Sequence, residues 1–162
     1  AKMAHEVVLT HGDLLSGNLL LVGSNVPPEE CKCIIIDYEY AAHNERALDI
    51  ANHFTEYAGF DFDIEGKYPD TETRLAFLRR YVLSARRARG DDIDKTEKIQ
   101  AIAEGLDAEL PAFVLLSHLF WCFWAVAQAK FSTSDFDYMG YAVARRRGFD
   151  FHSQQYQLPP PS

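Results

Sequence analysis

Short apolar runs separated by polar loops fill the first 40 residues of the chain. Residues 6–10, 19–22 and 32–37 are rich in Val, Ile and Leu, which is typical of β-strands. The stretch between the last two runs contains Gly, Asn and two Pro, so it predicts a turn and a small β-hairpin. Because antiparallel strands start and stop together, this hairpin would bring Asn18 and Asp37 to the same end.

After residue 46 the apolar spacing changes to that of helices. In the first predicted helix, residues 47–57, Asp49, His53 and Glu56 share one face. Further helices are predicted over residues 71–89, 93–106, 110–130 and 134–151, with Gly90 ending the first of these. The pattern therefore predicts an α+β, mostly helical fold for residues 1–152, followed by a Pro-rich tail at 153–162.

The predicted helix 110–130 is apolar and long enough to cross a bilayer. Against a membrane span stand Pro111, His118 and Gln128, together with two tryptophans near the middle of the helix. We therefore interpret it as a buried core helix and expect no transmembrane segment. A third interpretation is a helix that docks a partner, either a missing lobe of the same enzyme or a second copy in a homodimer.

Charge and cysteine content narrow the class of partner. The net charge is −8 and the pI about 5.2, which argues against nucleic acid and anionic membranes as partners. There are three cysteines without zinc-site spacing, and no basic and apolar leader opens the sequence. These features favour a reducing, cytoplasmic location.

Three polar residues sit at the ends of the apolar runs. Asp13 and Asn18 are five residues apart, and Asp37 follows a buried-type strand. A catalytic-loop Asp, an Asn and a later Asp at such positions match the parts of kinase-type phosphotransferases: the base and two Mg²⁺ ligands. His11 belongs to the same catalytic loop, where bracing is favoured over proton transfer. The alternative is that all of them merely satisfy backbone groups at strand ends and turns.

A second constellation is aromatic. Trp121 and Trp124 are three residues apart on one helix, and Tyr138 and Tyr141 repeat that spacing shortly afterwards. Packed together, these faces would form a box of π-surfaces that binds an ammonium group, with Glu56 to balance its charge. The alternative is ordinary core packing.

These residues carry a resemblance that runs from about residue 8 to 149. The motifs are His11-Gly12-Asp13 with Asn18, IIDYEY at 35–40, LDIANHF at 48–54, SHLFWCFW at 117–124, QAK at 128–130 and DFDYMGYA at 135–142. This combination resembles the second lobe of the choline/ethanolamine kinase family. The His-Gly-Asp form of the first motif is also that of aminoglycoside phosphotransferases.

The resemblance implies the C-terminal lobe of a protein-kinase-like fold that uses ATP and Mg²⁺ to phosphorylate ethanolamine or choline, the first step of phospholipid head-group synthesis. It implies Asp13 as catalytic base, Asn18 and Asp37 as metal ligands, and Asp49 as a brace of the catalytic loop. The implied amino-alcohol pocket contains Glu56, Trp121, Trp124, Tyr138 and Tyr141. Segments around residues 56–59, 68–70 and 130–137 favour ethanolamine slightly.

No Gly-rich phosphate loop or strand lysine precedes Asp13 in this sequence. We therefore expect that the nucleotide-binding N-terminal lobe is absent and that this piece alone is inactive. Two alternatives of other classes stay open: a non-catalytic module that binds quaternary ammonium, and another small-molecule phosphotransferase of the aminoglycoside type.

Overall fold

Two short antiparallel sheets carry the N-terminal part of the chain. The computed structural model describes residues 6–23, 27, 31–59, 62–90 and 96–157. Strand β1 (Val7–Thr10) pairs with β4 (Ala42–Glu45), and β2 (Leu19–Val22) pairs with β3 (Lys32–Ile35) in the register Leu19 opposite Ile35. The hairpin predicted from the apolar runs is confirmed. Strand β4 was not predicted, because its sequence, Ala-His-Asn-Glu, carries no apolar alternation.

In the ranges that the structure describes, five α-helices follow the strands. They are α1 (Arg46–Thr55), α2 (Ile64–Lys67), α3 (Thr71–Arg89), α4 (Thr96–Phe131) and α5 (Tyr138–Tyr156). Both ends of α3 agree with the sequence: the Asp70 carboxylate accepts from the Thr73 N–H at 2.8 Å, and Gly90 takes the left-handed conformation, φ 72°. The predicted mostly helical α+β class is confirmed.

Helix α4 lies at the centre of the helical part and packs against α1, α3 and α5. The main apolar core forms where α1, α3 and α4 meet. It contains Phe54 from α1, Leu78 from α3 and Leu106, Leu110 and Val114 from α4, all of which are at most 2% exposed. Close packing of these side chains fixes α1 against α4. The position of the polar face of α1 follows from this packing.

The prediction of two helices between residues 93 and 130 is wrong in one respect, because α4 is continuous through Pro111. Proline removes one backbone hydrogen bond and usually ends or kinks a helix. Here Leu106, Leu110 and Val114 are buried in the same core on both sides of the proline, so tertiary packing holds both halves together.

Helix α4 meets the length and composition expected of a membrane-crossing helix over residues 97–131. Its most apolar 18-residue window has a mean hydropathy of 1.8, and 33% of that window is buried inside the protein. The side chains of Phe120 and Phe123 are 50% and 69% exposed, while those of Ser117 and His118 on the same helix are buried. The interpretation as a core helix stays a prediction.

Helix α5 begins and ends later than predicted. Its start is set by Asp137, whose carboxylate accepts from the Gly140 N–H at 2.8 Å. It continues to Tyr156, four residues into the segment predicted as a tail, because His152 is buried against Tyr68 and Tyr156. Residues 158–162 of the predicted tail lie outside the described residues.

Two histidines lie in the interior between α4 and α5. His118 and His152 are both fully buried, and their rings share a hydrogen bond of 3.0 Å between Nε2 and Nδ1. Burial disfavours the imidazolium form, so the pKa of each histidine is lowered from its ordinary value. Arg145 close to His118 acts in the same direction on that pKa.

A lowered pKa makes stability depend on pH. Between the ordinary pKa of 6.5 and the lowered values of the folded protein, the unfolded chain binds more protons than the folded one. The contribution of the two histidines to the free energy of unfolding is therefore present above pH 6.5 and is lost as the pH falls. We expect the Tm, measured by circular dichroism from pH 7.5 to 4.5, to fall on acidification.

His152→Asn should lower the Tm at every pH but flatten this pH dependence. The exposed His43 offers a matched control, and His43→Asn should keep the wild-type slope. An unchanged slope in His152→Asn would contradict the assignment.

Candidate active site

The loop between β1 and β2 carries Asp13, and hydrogen bonds to α1 hold this loop in place. The Asp49 carboxylate accepts from the backbone N–H groups of His11, at 3.0 Å, and Gly12, at 2.8 Å. Gly12 has a φ of +83°, and a Cβ there would lie 2.7 Å from the Tyr40 carbonyl oxygen, so no larger residue fits without movement. The loop backbone at Gly12 is therefore fixed by the hydrogen bond to Asp49 and by its close approach to Tyr40.

His11 braces this loop and does not face the cavity. It is 6% exposed. The Asp13 N–H donates to its Nδ1 at 3.3 Å, so the ring proton lies on Nε2, which donates to the Ile36 carbonyl at 2.8 Å. Both ring nitrogens are used by backbone groups, as expected for the bracing role that the sequence analysis favoured, and the grouping of His11 with Asp13 as a catalytic residue stays a prediction. His11 connects the loop to the end of β3.

Asn52 on α1 was given no role by the sequence analysis, yet it joins the loop to α4. Its Nδ2 donates to the Gly12 carbonyl at 3.2 Å. Its Oδ1 accepts from Ser117 Oγ at 2.8 Å and from Trp121 Nε1 at 2.7 Å. The signal available in the sequence was the position of Asn52 one helical turn after Leu48-Asp49, on the face that Asp49 also occupies.

Asp13, Asn18 and Asp37 lie at one end of the β2–β3 hairpin. Asn18 Nδ2 donates to the Asp13 carbonyl at 2.9 Å and to its carboxylate at 3.2 Å. The Ile36 N–H donates to the Asn18 carbonyl at 3.1 Å. Asp37 is the next residue in the chain, so its backbone lies close to Asn18. The Asp37 carboxylate is near enough to contribute to the raised pKa of Asp13. The hairpin thus brings together the three residues singled out by spacing.

The backbone of Asp37 is unusual. Its φ is +65°, in the left-handed region that residues other than glycine seldom adopt. Such strained positions persist where the surrounding structure imposes them, and they concentrate at functional sites. Among the described residues no group of three His, Cys, Asp or Glu side chains converges as a metal site. An Asp with an Asn would therefore need other oxygens, such as phosphates, to complete a Mg²⁺ shell.

A cavity of about 370 Å³ opens beside Asp13. Its polar wall includes the carboxylates of Asp13, Glu39 and Glu56. All five residues predicted for the substrate pocket line it: Glu56, Trp121, Trp124, Tyr138 and Tyr141. The remaining wall is mostly aromatic, with Tyr40, Phe62 and Phe136. The structure therefore joins the predicted base and the predicted aromatic box in one space.

Hydrogen bonds fix the orientation of the aromatic wall. Trp124 Nε1 donates to the Tyr40 hydroxyl at 2.8 Å, and the Tyr138 hydroxyl bonds Ser132 Oγ at 2.9 Å. The Trp124 ring meets those of Trp121 and Tyr138 edge to face or nearly so, with centroids 5.2 and 5.7 Å apart. The wall is therefore rigid before any ligand binds, which lowers the entropic cost of binding.

By helical spacing, His118 and Gln128 would extend the face of α4 that carries the two tryptophans. His118 instead points to His152 and is fully buried, and neither residue lines the cavity. The helical spacing was correct, but α5 covers the His118 side of α4. Periodicity alone cannot tell which part of an apolar helix face meets a neighbouring helix.

Burial and neighbouring charges shift the pKa values of Asp13 and Tyr141, two of the ionisable groups in the cavity wall. Burial, followed by the negative charge of Glu56, raises the pKa of Asp13, whereas the hydrogen bond from Asn18 opposes the rise. Burial raises the pKa of Tyr141 to about 12, so its hydroxyl stays protonated at neutral pH. Asp13 is thus a stronger base than an ordinary carboxylate.

Arg145 on α5 is a second residue that the sequence analysis missed. It is fully buried, and its guanidinium pairs with Glu56. Its Nε donates to the Tyr141 hydroxyl at 2.8 Å. No local pattern marks it, because Arg145 opens a run of three arginines that reads as a solvated helix face.

Comparison with known proteins identifies the family of this chain. The family model described as choline/ethanolamine kinase matches residues 1–150. A probable ethanolamine kinase of Arabidopsis thaliana is 40% identical over 86% of this chain and 33% of its own length, and a probable ethanolamine kinase A of Dictyostelium discoideum is 42% identical over 90% and 38%. The chain thus spans about a third of the length of these relatives.

The solved structure of a Plasmodium vivax ethanolamine kinase superposes on 94% of this chain and 36% of its own, with a TM-score of 0.74 and 32% identity. That agreement confirms the fold class expected from the motifs, the C-terminal lobe of a protein-kinase-like fold. Because the family model matches nearly the whole chain and the fold agrees with it, this chain belongs to the choline/ethanolamine kinase family.

Proposed function

We propose that this chain is the lobe of a phosphotransferase that positions ethanolamine for transfer of the γ-phosphoryl group of ATP to its hydroxyl. The observation that carries the proposal is the shared cavity, in which Asp13 lies on the same wall as Glu56 and the aromatic rings. An amino alcohol needs both features: a base for its hydroxyl and an anionic, aromatic site for its ammonium.

Asp13 is the proposed catalytic base. Its carboxylate accepts the hydroxyl proton as the oxygen attacks the phosphorus, and its raised pKa favours this transfer. The bond from Asn18 holds the carboxylate in place. Trp121, Trp124, Tyr138 and Tyr141 surround the ammonium, and Glu56 supplies the opposite charge.

Asn18 and Asp37 would hold the Mg²⁺ that accompanies ATP. Asn18 Nδ2 points to Asp13, and within the described residues its Oδ1 accepts no hydrogen bond, so this oxygen is available to a hard cation. Asp37 is exposed and offers a carboxylate. When bound, Mg²⁺ neutralises charge on the transferring phosphates.

Ethanolamine is preferred over choline in this proposal. A primary ammonium donates hydrogen bonds, and Glu39 and Glu56 offer acceptors in the cavity wall, whereas trimethylammonium needs π-faces alone. Several similar proteins carry the name ethanolamine kinase, although one human relative, 34% identical, is named choline/ethanolamine kinase. Choline is therefore the second candidate.

The proposal includes a nucleotide-binding lobe as partner of residues 1–152. No Gly-rich loop or strand lysine in this sequence could cradle ATP. Apolar side chains on the strands are exposed, including Leu9 at 68% and Leu21 at 72%, and such a lobe would cover them. Location in the cytoplasm, suggested by the cysteine content, belongs to the same proposal.

The proposal is tested by measuring ADP release from the full-length protein with ethanolamine, choline and kanamycin as acceptors. We expect kcat/KM to be highest for ethanolamine and activity to disappear with EDTA. A preference for kanamycin would contradict the proposal and favour an aminoglycoside-type enzyme. Binding of choline that is indifferent to Asp13→Ala and to Mg²⁺ would favour a non-catalytic ammonium-binding module.

Asp13→Asn should lower kcat by about 10²- to 10⁴-fold, the usual contribution of a general base. The same change should raise the Tm at pH 7 by about 1–3 °C. Because the pKa of Asp13 is raised, its stabilising contribution exists only at acid pH and is lost as the pH rises through that pKa. Once ionised, the carboxylate is unfavourable in this site, and asparagine removes this cost.

Differential scanning fluorimetry and steady-state kinetics measure the two effects together. Asp135→Asn on the exposed loop before α5 is the matched control and should change neither. A lower Tm at pH 7 in Asp13→Asn would contradict the assignment.

Asp37→Gly and Asp37→Ala separate the backbone strain from the role of the carboxylate. Both variants lose the proposed metal ligand, so both should lose Mg²⁺-dependent activity. Glycine adopts the φ of +65° without the clash of a Cβ, so Asp37→Gly should be more stable than Asp37→Ala by about 1 kcal/mol. Urea denaturation measures the difference, and equal stability of the two variants would rule out strain at this position.

A further inference from the structure

Arg145 makes an unusually complete set of contacts for a residue with no assigned role. It is fully buried at the back of the cavity. Its Nε donates to the Tyr141 hydroxyl at 2.8 Å, Nη1 donates to Thr55 Oγ1 at 3.1 Å, and Nη2 pairs with Glu56. Each of the three guanidinium nitrogens therefore has its own acceptor.

The guanidinium is also enclosed by rings of the cavity wall. Its central carbon lies 5.0 Å from the ring centroid of Phe62, 5.2 Å from that of Tyr141 and 6.0 Å from that of Trp121. A planar guanidinium packs among such rings, whereas a lysine ammonium offers neither the plane nor the fork of donors. The position is therefore specific for arginine.

A buried ion pair is not a stabilising feature by itself. Removal of two charges from water is costly, and replacement of such a pair by apolar residues is often neutral or stabilising. Stability alone therefore does not explain why Arg145 and Glu56 are buried here. Glu56 differs from a core residue in one respect: its side chain is 15% exposed and lines the cavity beside Asp13.

Within the described residues, one oxygen of Glu56 accepts a hydrogen bond and the other does not. Oε1 accepts from Arg145, and within the described part of the chain Oε2 accepts no hydrogen bond. Glu56 lies in the turn directly after α1, where the carboxylate would be free to rotate without this contact. The single bond to Arg145 selects one orientation.

We propose that Arg145 is a positioning residue for substrate binding: it holds Glu56 by Oε1 so that Oε2 meets the ammonium of the amino alcohol. This inference rests on the proposed function. Arg145 does not line the cavity and touches no reacting group, so it acts through Glu56. Its loss should weaken binding of the cationic substrate and leave the chemical step at Asp13 nearly unchanged.

The test compares Arg145→Lys, Arg145→Met, Glu56→Gln and the Arg145→Met/Glu56→Gln double variant in the full-length protein. Arg146 is the matched control, because it is the next residue on α5, is exposed and pairs only with Asp150 among the described residues. Arg146→Lys and Arg146→Met should behave as wild type. The readouts are kcat and KM for ethanolamine, together with its Kd from quenching of tryptophan fluorescence without ATP.

We expect Arg145→Lys and Arg145→Met to raise the KM and Kd for ethanolamine by about tenfold or more, as for the loss of one charged hydrogen bond. The kcat should stay within about twofold of wild type, while KM for ATP should not change. The double variant should bind no more weakly than Glu56→Gln alone, because Arg145 has nothing left to position.

A purely structural role predicts a different result: a lower Tm and less folded protein, but an unchanged KM in the fraction that folds. If Arg145→Met does not fold, two other variants still test the inference. Arg145→Lys keeps the positive charge, and the double variant removes both buried charges together.

An Arg145→Lys variant with wild-type KM, or additive losses in the double variant, would overturn the inference. Failure of the wild type to bind ethanolamine would instead count against the proposed function.

Discussion

The Asp49 carboxylate accepts hydrogen bonds from the backbone N–H groups of His11 and Gly12, and these bonds hold the loop that carries Asp13 against α1. A loop of this kind cannot satisfy its own buried backbone groups, so it needs a partner on a rigid element. Asn52 and His53 on the same helix bond the carbonyl groups of Gly12 and Leu14. Because α1 is packed into the core through its opposite face, the position of Asp13 depends on that core.

Helix α1 and the turn after it also contact α4 and α5, which carry much of the aromatic wall of the cavity. Glu56, in the turn after α1, pairs with Arg145 on α5, and Asn52 bonds Trp121 on α4. Asp13 and the aromatic wall of the cavity are thus attached to one scaffold, which fixes their relative position. Positioning of this type is the main contribution that a protein makes to phosphoryl transfer.

Local rules predicted much of the fold. Apolar runs identified three strands, and Gly90 marked the end of α3 because capping is a property of neighbouring residues. The rules failed where packing outweighed them, as at Pro111, which lies inside a continuous α4. In the candidate site, Asp13, Asn18 and Asp37 were singled out because the proposed chemistry requires particular residue types at particular spacings. Asn52, Tyr40 and Arg145 were missed, since their partners are remote in sequence.

The sequence by itself determined the types of chemical group available, the hairpin that joins Asn18 to Asp37, and the family. The tertiary structure decided which groups meet. Trp124 bonds Tyr40 across 84 residues, and Arg145 reaches Glu56 across 89. Such contacts follow from the way α4 and α5 pack against α1, which depends on the summed shape of many buried side chains. No local pattern in the chain encodes that shape.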